Sequence, residues 1–310
     1  MSGLRLEGLT VDDVLNNMQY YYDLYIKHRK LGFVELHPTR EQQSELVRKF
    51  ANEDHDDGVG PLWDVTHPHL ETTLAETPDD FLIGHWHMDN TVHEWCPDIT
   101  SMHMHTWKGE TGKGSTVLVD LEDLYQKCPQ RYKDYLQNIM VHHRSGANKT
   151  AQTDELHDGS HHPGLRTHPI TGNTCLFYTG PECDPSDGSS ELFDEYKQWM
   201  RDGAPAEASE GGWPRTGGQL YLLENQFVWD WSEGDFLIWD NTCIVHGFYG
   251  GWVYEERVFD KMEGRYSKPY YLGPQGKMWG GSPDSVGQHL IAKDAPPQHP
   301  FIAKDASPHG

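Results

Sequence analysis

The sequence predicts a mostly β, α+β fold, with a β-sandwich or jelly-roll core and helices flanking it at the N-terminus and in mid-chain. From Phe81 onward, short strand-like runs alternate with Gly- and Pro-containing turns. Helical spacing of apolar residues is confined mainly to the first fifty residues and to a stretch after Asp120. The chain has 310 residues and a net charge of −23, yet it carries 11 Trp, 15 Tyr and 10 Phe. Rings in that number bury enough apolar area to build one core rather than leave the chain disordered.

The elements read in order as follows. Thr10 is placed to cap a helix with Asp13 three residues on, and Val11, Val14, Leu15, Met18, Tyr21, Tyr22 and Tyr25 keep helical spacing after it. Gly32–Leu36 reads as a short strand. Thr39 with Gln42 opens a second helix carrying Leu46, Val47 and Phe50. An acidic loop follows at Asn52–Gly60. Strands are predicted at Phe81–Asp89, Thr116–Asp120, Thr174–Tyr178, Gln219–Leu223, Phe227–Trp231, Phe236–Trp239 and Cys243–Phe248, with one helix over Leu121–Ile139. Residues 1–281 are expected to form a single domain. Within it, the acidic, Gly/Pro/Ser-rich stretch 182–218 reads as a lid-like excursion with a helical signal at Leu192–Met200. Residues 282–310 read as an extended low-complexity tail, in which Ile291–Ala295 recurs as Ile302–Ala306.

Composition narrows the function. An excess of 48 acidic over 25 basic residues with no basic patch argues against nucleic-acid partners. No run of 18 apolar residues suggests a membrane span, and Met1–Thr10 lacks the apolar centre of a signal peptide. The five Cys are odd in number and contain no CxxC pair, so reduced thiols and a cytoplasmic location are expected.

Twenty His stand out. In Trp86-His87-Met88-Asp89, residues two apart on a strand face the same way, which sets an imidazole beside a carboxylate. A His from a distant strand would complete a 2-His-1-carboxylate face with positions left open on Fe(II). Two other segments look similar. His55-Asp56-Asp57 falls in the acidic loop rather than on a strand, and His69-Leu70-Glu71 reads as surface.

A second segment, Trp229 to Asn241 followed by His246, carries a resemblance. Together with several ordered blocks, it makes the chain similar to the taurine dioxygenase (TauD/TfdA-like) family of Fe(II)/2-oxoglutarate-dependent dioxygenases. Trp86-His87-x-Asp89 resembles the proximal ligand motif. Gly114-Ser115-Thr116, followed by Asp120, resembles the Gly-rich turn with its cosubstrate Thr. Thr167 to Gly172 resembles a His-Pro-containing turn, Gly234-Asp235 to Asn241 the block before the distal ligand, and Lys268-Pro269-Tyr270-Tyr271 a strand end beyond it. The resemblance spans roughly residues 30–272. It implies a double-stranded β-helix (jelly roll), a facial triad of His87, Asp89 and His246 as metal ligands, and Fe(II), 2-oxoglutarate and O2 as cofactor and cosubstrates.

Arg257, 11 residues past His246, stands where the family binds 2-oxoglutarate, with Arg265 as its rival. A guanidinium offers two parallel N–H donors to the far carboxylate, and the Thr116 hydroxyl can donate to the same group. Lys261, four residues past Arg257, stands where taurine dioxygenase places a substrate-binding Arg, so it is expected to read an acidic group on the substrate. The pairs His103/His105, His142/His143 and His161/His162 are open to a pocket role or to structural ones. Cys96 and Cys243 read as small core residues.

The expected enzyme is a non-haem Fe(II)/2-oxoglutarate-dependent dioxygenase acting on a C–H bond of a small, polar, anionic molecule, with release of succinate and CO2. Hydroxylation is the default, with desaturation or oxidative cyclisation of an amino-acid-like compound as relatives of it. A carboxylate at position 89 argues against halogenation. The rival readings are a non-catalytic His-rich metal-binding protein and a cupin-like metal hydrolase or isomerase.

Overall fold

The computed structural model describes residues 3–51, 84–89, 91, 96–109, 112–143, 160–168, 170–177, 183–188, 191–202, 218–250 and 257–264. The acidic loop, the tail at 282–310 and much of the 182–218 excursion lie outside these residues. The fold is mixed, with sheets predominating.

The N-terminal segment forms β1 (Leu4–Leu6), α1 (Val11–Asn16), α2 (Met18–His28), β2 (Lys30–Phe33) and α3 (Arg40–Phe50). Capping boxes are present at Thr10/Asp13 and Thr39/Gln42, so each helix begins where the sequence placed it. The first predicted helix is two, because Asn17 leaves helical geometry (φ −119°, ψ 31°). β3 (Gly84–His87), β4 (Ile99–Trp107) and β5 (Thr116–Asp120) come next. The mid-chain helix also divides, into α4 (Leu121–Lys127) and α5 (Gln130–Leu136). Pro129 lacks an N–H and pushes Cys128 into extended geometry (φ −64°, ψ 130°).

Five short strands follow: β6 (Met140–His143), β7 (Ser160–Pro163), β8 (Leu165–Thr167), β9 (Thr174–Leu176) and β10 (Cys183–Pro185). α6 (Glu191–Lys197) runs on into a π-helical turn at Gln198–Asp202. The expected strand at Gln219–Leu223 is instead a pair of 3-10 turns, where the Asn225 amide donates back to the Gln219 carbonyl. β11 (Gln226–Trp229), β12 (Phe236–Asp240), β13 (Ile244–Phe248) and β14 (Arg257–Gly264) complete the described strands. β4 was not expected: its alternating Met and His residues hide the period of a strand buried on both faces.

The chain packs as two compact units. One comprises Met1–Trp86, Pro97–Leu118 and Phe227–Lys268, the other His87–Cys96, Val119–Gln226 and Pro269–Gly310. The first holds a five-stranded sheet ordered β1-β2-β12-β4-β14; the strands of a four-stranded sheet ordered β11-β5-β13-β3 are divided by unit boundaries within β3, β5 and β11. The helices cover one face of the five-stranded sheet. Tyr21 packs on Phe33 and Phe33 on Phe236, and the Gln43 amide donates to Ser101 Oγ. On the other face Gly32, Leu237, Met102 and Lys261 form one cross-strand row. Trp229 of β11 lies on that row, and a Cβ at position 32 would stand 2.0 Å from its ring. Only glycine lets this indole bring the two sheets into contact.

The second unit contains the sheet β10-β6-β7 and the hairpin β8-β9. Its helices meet through Tyr132 and Tyr196, whose ring centroids are 5.9 Å apart. At the hairpin turn, His168 Nδ1 accepts the N–H groups of Ile170 and Thr171, and Gly172 takes a positive φ of 73°. The His-Pro-containing motif is thus a turn support. All five Cys are buried and none is in a disulfide.

Candidate active site

His246 is held by the turn that carries the chain from β12 into β13. Asp240 Oδ1 accepts the backbone N–H and hydroxyl of Thr242, and the Asn241 amide donates to the Pro97 carbonyl. One turn earlier, Asp235 Oδ1 accepts the N–H of Glu35 and Oδ2 that of Ser232, while burial raises its pKa. Gly234 has φ 86°, and a Cβ there would enter the His37 ring. The Gly-Asp and Trp-Asp-Asn blocks are therefore the scaffold that aims His246. The Trp239 indole packs against its imidazole, with centroids 4.9 Å apart.

In the four-stranded sheet β13 is the hydrogen-bonded neighbour of β3, which ends at His87. Asp89 follows two residues later, its carboxylate almost fully buried and 3.6 Å from His87 Nε2. One potential ligand atom from each of His87, Asp89 and His246 lies within 4.8 Å of the other two, making a candidate metal site. Two imidazoles and a carboxylate suit Fe(II) and leave coordination positions for small molecules. His87 remains partly open to solvent, so the group is reachable. Among the described residues a second group has similar spacing: Glu122, His168 and Cys243. It is wholly buried, His168 Nδ1 is occupied by turn amides, and Glu122 accepts from Asn173, so it has no open face.

Thr116, the expected cosubstrate residue, is buried at the start of β5. The Trp231 Nε1–H donates to its Oγ1 at 2.9 Å. Sequence reasoning gave Trp231 no role, although it lies in the quoted Trp229–Asn241 block. β14 begins at Arg257, opposite Trp107, but the Arg257 side chain and all of Arg265 lie outside the described residues.

Lys261 stands opposite Met102, and Glu263, two residues on, is opposite Thr100, which also faces Trp239. Lys261 and Glu263 therefore share the sheet face of the Trp239 indole that meets His246. Lys261 Nζ lies 3.0 Å from Glu263 Oε1, a buried carboxylate that sequence reasoning missed. Its signal was present as spacing two on a strand.

His103 and His105 do not share that face. His103 is opposite Asp260 and Phe236, on the side the N-terminal helices cover, and His105 is the residue skipped by the register shift opposite Val258/Phe259. His105 Nε2 is 2.6 Å from Asp260 Oδ2. Burial, helped by the neighbouring His105 and His37, pushes His103 down to about 4, against the pull of Asp260.

Comparison with known proteins settles the family. The model of the family described as "Taurine catabolism dioxygenase TauD, TfdA family" matches residues 17–248. The chain belongs to this family. His87, Asp89, Thr116 and His246 fall within the matched stretch, whereas Arg257 and Lys261 lie beyond it. A relative, the alpha-ketoglutarate-dependent dioxygenase oryG of Aspergillus oryzae, is 27% identical over 181 residues, covering 52% of this chain and 47% of its own length. The chain thus spans about half of that relative. A putative alpha-ketoglutarate-dependent taurine dioxygenase of Burkholderia xenovorans shares the fold with a TM-score of 0.62 at 18% identity, over 91% of this chain and 93% of that one. AAD-2, solved in complex with Mn(II) and N-oxalylglycine, aligns with a TM-score of 0.60 at 15% identity, over 87% and 96%. The family is described as one of dioxygenases, and dependence on alpha-ketoglutarate is stated for oryG and for the Burkholderia protein, to both of which this chain is similar. No helix among its described residues is long and apolar enough to cross a membrane.

Proposed function

We propose that His87, Asp89 and His246 hold the Fe(II) of an oxygenase that acts on a C–H bond of a small, polar, anionic substrate. The convergence of these three ligand atoms carries the reading. Iron bound there supplies the oxidising power, drawn from O2 and 2-oxoglutarate with release of succinate and CO2. The chain's own residues bind and orient. Thr116 donates its hydroxyl to the far carboxylate of 2-oxoglutarate, and Arg257, rather than Arg265, grips the same carboxylate with paired N–H groups. Lys261 faces the substrate's acidic group, shared between it and Glu263. Hydroxylation is the default outcome, with desaturation or ring closure of an amino-acid-like substrate on the same site. We read the five-stranded and four-stranded sheets as the double-stranded β-helix that carries this site, and the five buried thiols as suited to the cytoplasm.

The test is anaerobic. Fe(II) and then 2-oxoglutarate are added to the protein, and the visible charge-transfer band of the chelated keto acid is followed. One equivalent of each should give the band. It should vanish in His246→Ala and Asp89→Ala, and saturate only at higher 2-oxoglutarate in Arg257→Ala. A band that survives His246→Ala overturns the ligand assignment, and one that saturates normally in Arg257→Ala but not in Arg265→Ala reassigns the cosubstrate clamp.

A further inference from the structure

The three-stranded sheet of the second unit carries a row of side chains that the oxygenase reading leaves unused. Asp184 on β10 stands opposite His142 on β6, and His142 stands opposite His161 on β7. Directly opposed residues of antiparallel strands point to one face, so the three form a single line across the sheet. That face is the accessible one. Asp184, His142 and His161 are each half-buried, while Cys183, His143, Ser160 and His162, which alternate to the other face, are buried.

The two imidazoles are neighbours in space as well as in register. Their ring centroids are 4.3 Å apart and their planes differ by 5°. Two protonated rings in that arrangement repel each other. The His161 pKa is accordingly lowered, first by burial and then by His142 and His162. Burial thus favours the unprotonated His161 ring, the form that binds metal.

We propose that the row Asp184–His142–His161 is a second metal site, taking a borderline divalent ion of the Cu(II), Ni(II) or Zn(II) class through the two imidazoles. Metal–nitrogen bonds of about 2.0–2.1 Å require the two nitrogens roughly 3–4 Å apart with their in-plane lone pairs convergent, so binding requires the two rings to swing out of their parallel stack toward one ion. Imidazole is the ligand these ions prefer, whereas Mg(II) and Ca(II) favour oxygen. Asp184, opposite His142 in register, would accept a hydrogen bond from that ring's second nitrogen and fix its orientation. The site shares no residue with His87, Asp89 and His246.

The probe is Cu(II)–iminodiacetate, added to the full-length chain. The chelate leaves copper too few open positions to fill a three-residue iron site but enough for two imidazoles. One equivalent should bind, with an electron paramagnetic resonance pattern of two additional nitrogens. The signal should be lost in His142→Ala and in His161→Phe, which retains the stacked ring without a nitrogen. Asp184→Asn should weaken binding by roughly tenfold. The Fe(II)/2-oxoglutarate band of His161→Phe should match that of the parent, which checks the fold and keeps this site separate from the iron reading. A two-nitrogen signal unchanged in His161→Phe, or one removed by His105→Ala instead, overturns the proposal.

Discussion

The indole N–H of Trp231 donates to the hydroxyl oxygen of Thr116 at 2.9 Å, and both side chains are buried. A hydroxyl whose oxygen accepts from a fixed indole has its own proton turned elsewhere, so Trp231 sets Thr116 as a donor. Trp231→Phe keeps the ring and removes that constraint. A single hydrogen bond contributes about 0.5–1.5 kcal/mol, so 2-oxoglutarate affinity, read from the charge-transfer band, should fall roughly 2- to 10-fold. Thr116→Val should fall by a similar factor, and the double variant by little more than either. Fully additive losses would mean that Trp231 acts independently of Thr116.

Lys261 pairs with an internal carboxylate. Glu263 is almost entirely buried and Lys261 is mostly so. Lys261→Met leaves the carboxylate short of a countercharge, which should destabilise the protein by about 2–4 kcal/mol in urea unfolding. Adding Glu263→Leu should recover most of that loss. If Lys261 also reads the substrate, KM for an anionic substrate stays elevated in the stable double variant. A normal KM there would confine Lys261 to structure.

The contact of Trp229 with Gly32 sets a strict size limit. Gly32→Ala puts a methyl group 2.0 Å from the indole, and the ring cannot withdraw without parting the two sheets. Overpacking of this kind costs about 1–3 kcal/mol, so the thermal midpoint should drop clearly. Adding Trp229→Leu to Gly32→Ala should bring back less than the pair of wild-type residues provides, because the large ring is what fills the space. A midpoint unchanged in Gly32→Ala would show that the sheets yield freely at this point.

His103 makes stability depend on pH. It is buried, neither ring nitrogen has a partner, and its pKa lies near 4 rather than 6.5. His105, Asp260 and His37 are the titratable groups that bear on it. The unfolded chain takes up this proton before the folded one does. Stability is therefore fully retained above pH 6.5 and lost as pH falls from there toward 4, by at most about 3 kcal/mol. Urea unfolding of His103→Leu across that range should show a correspondingly flatter profile. A slope equal to the parent's would assign the loss to other groups.

Much of this protein was legible because its signals are local. Capping boxes at Thr10 and Thr39 depend on residues three apart, and both helices start there. His87 and Asp89 are two apart, and the Trp-Asp-Asn turn ahead of His246 uses its own side chains. The errors were also local. Pro129 was read through although its missing N–H ends a helix, and β4 was overlooked because its faces carry Met and His rather than an apolar–polar alternation.

The sequence by itself determined the candidate ligand types, their order along the chain and the local turn bonds of Asp235 to Ser232 and Asp240 to Thr242, since these join near neighbours. Tertiary structure alone decided what lies opposite what. It put Trp231 on Thr116, Trp229 on Gly32, Glu263 within reach of Lys261, and His142 beside both His161 and Asp184. Except for Lys261 and Glu263, these partners are far apart in the chain. Strand pairing and sheet packing set their register, and the free energy that fixes a register comes from burying whole faces at once.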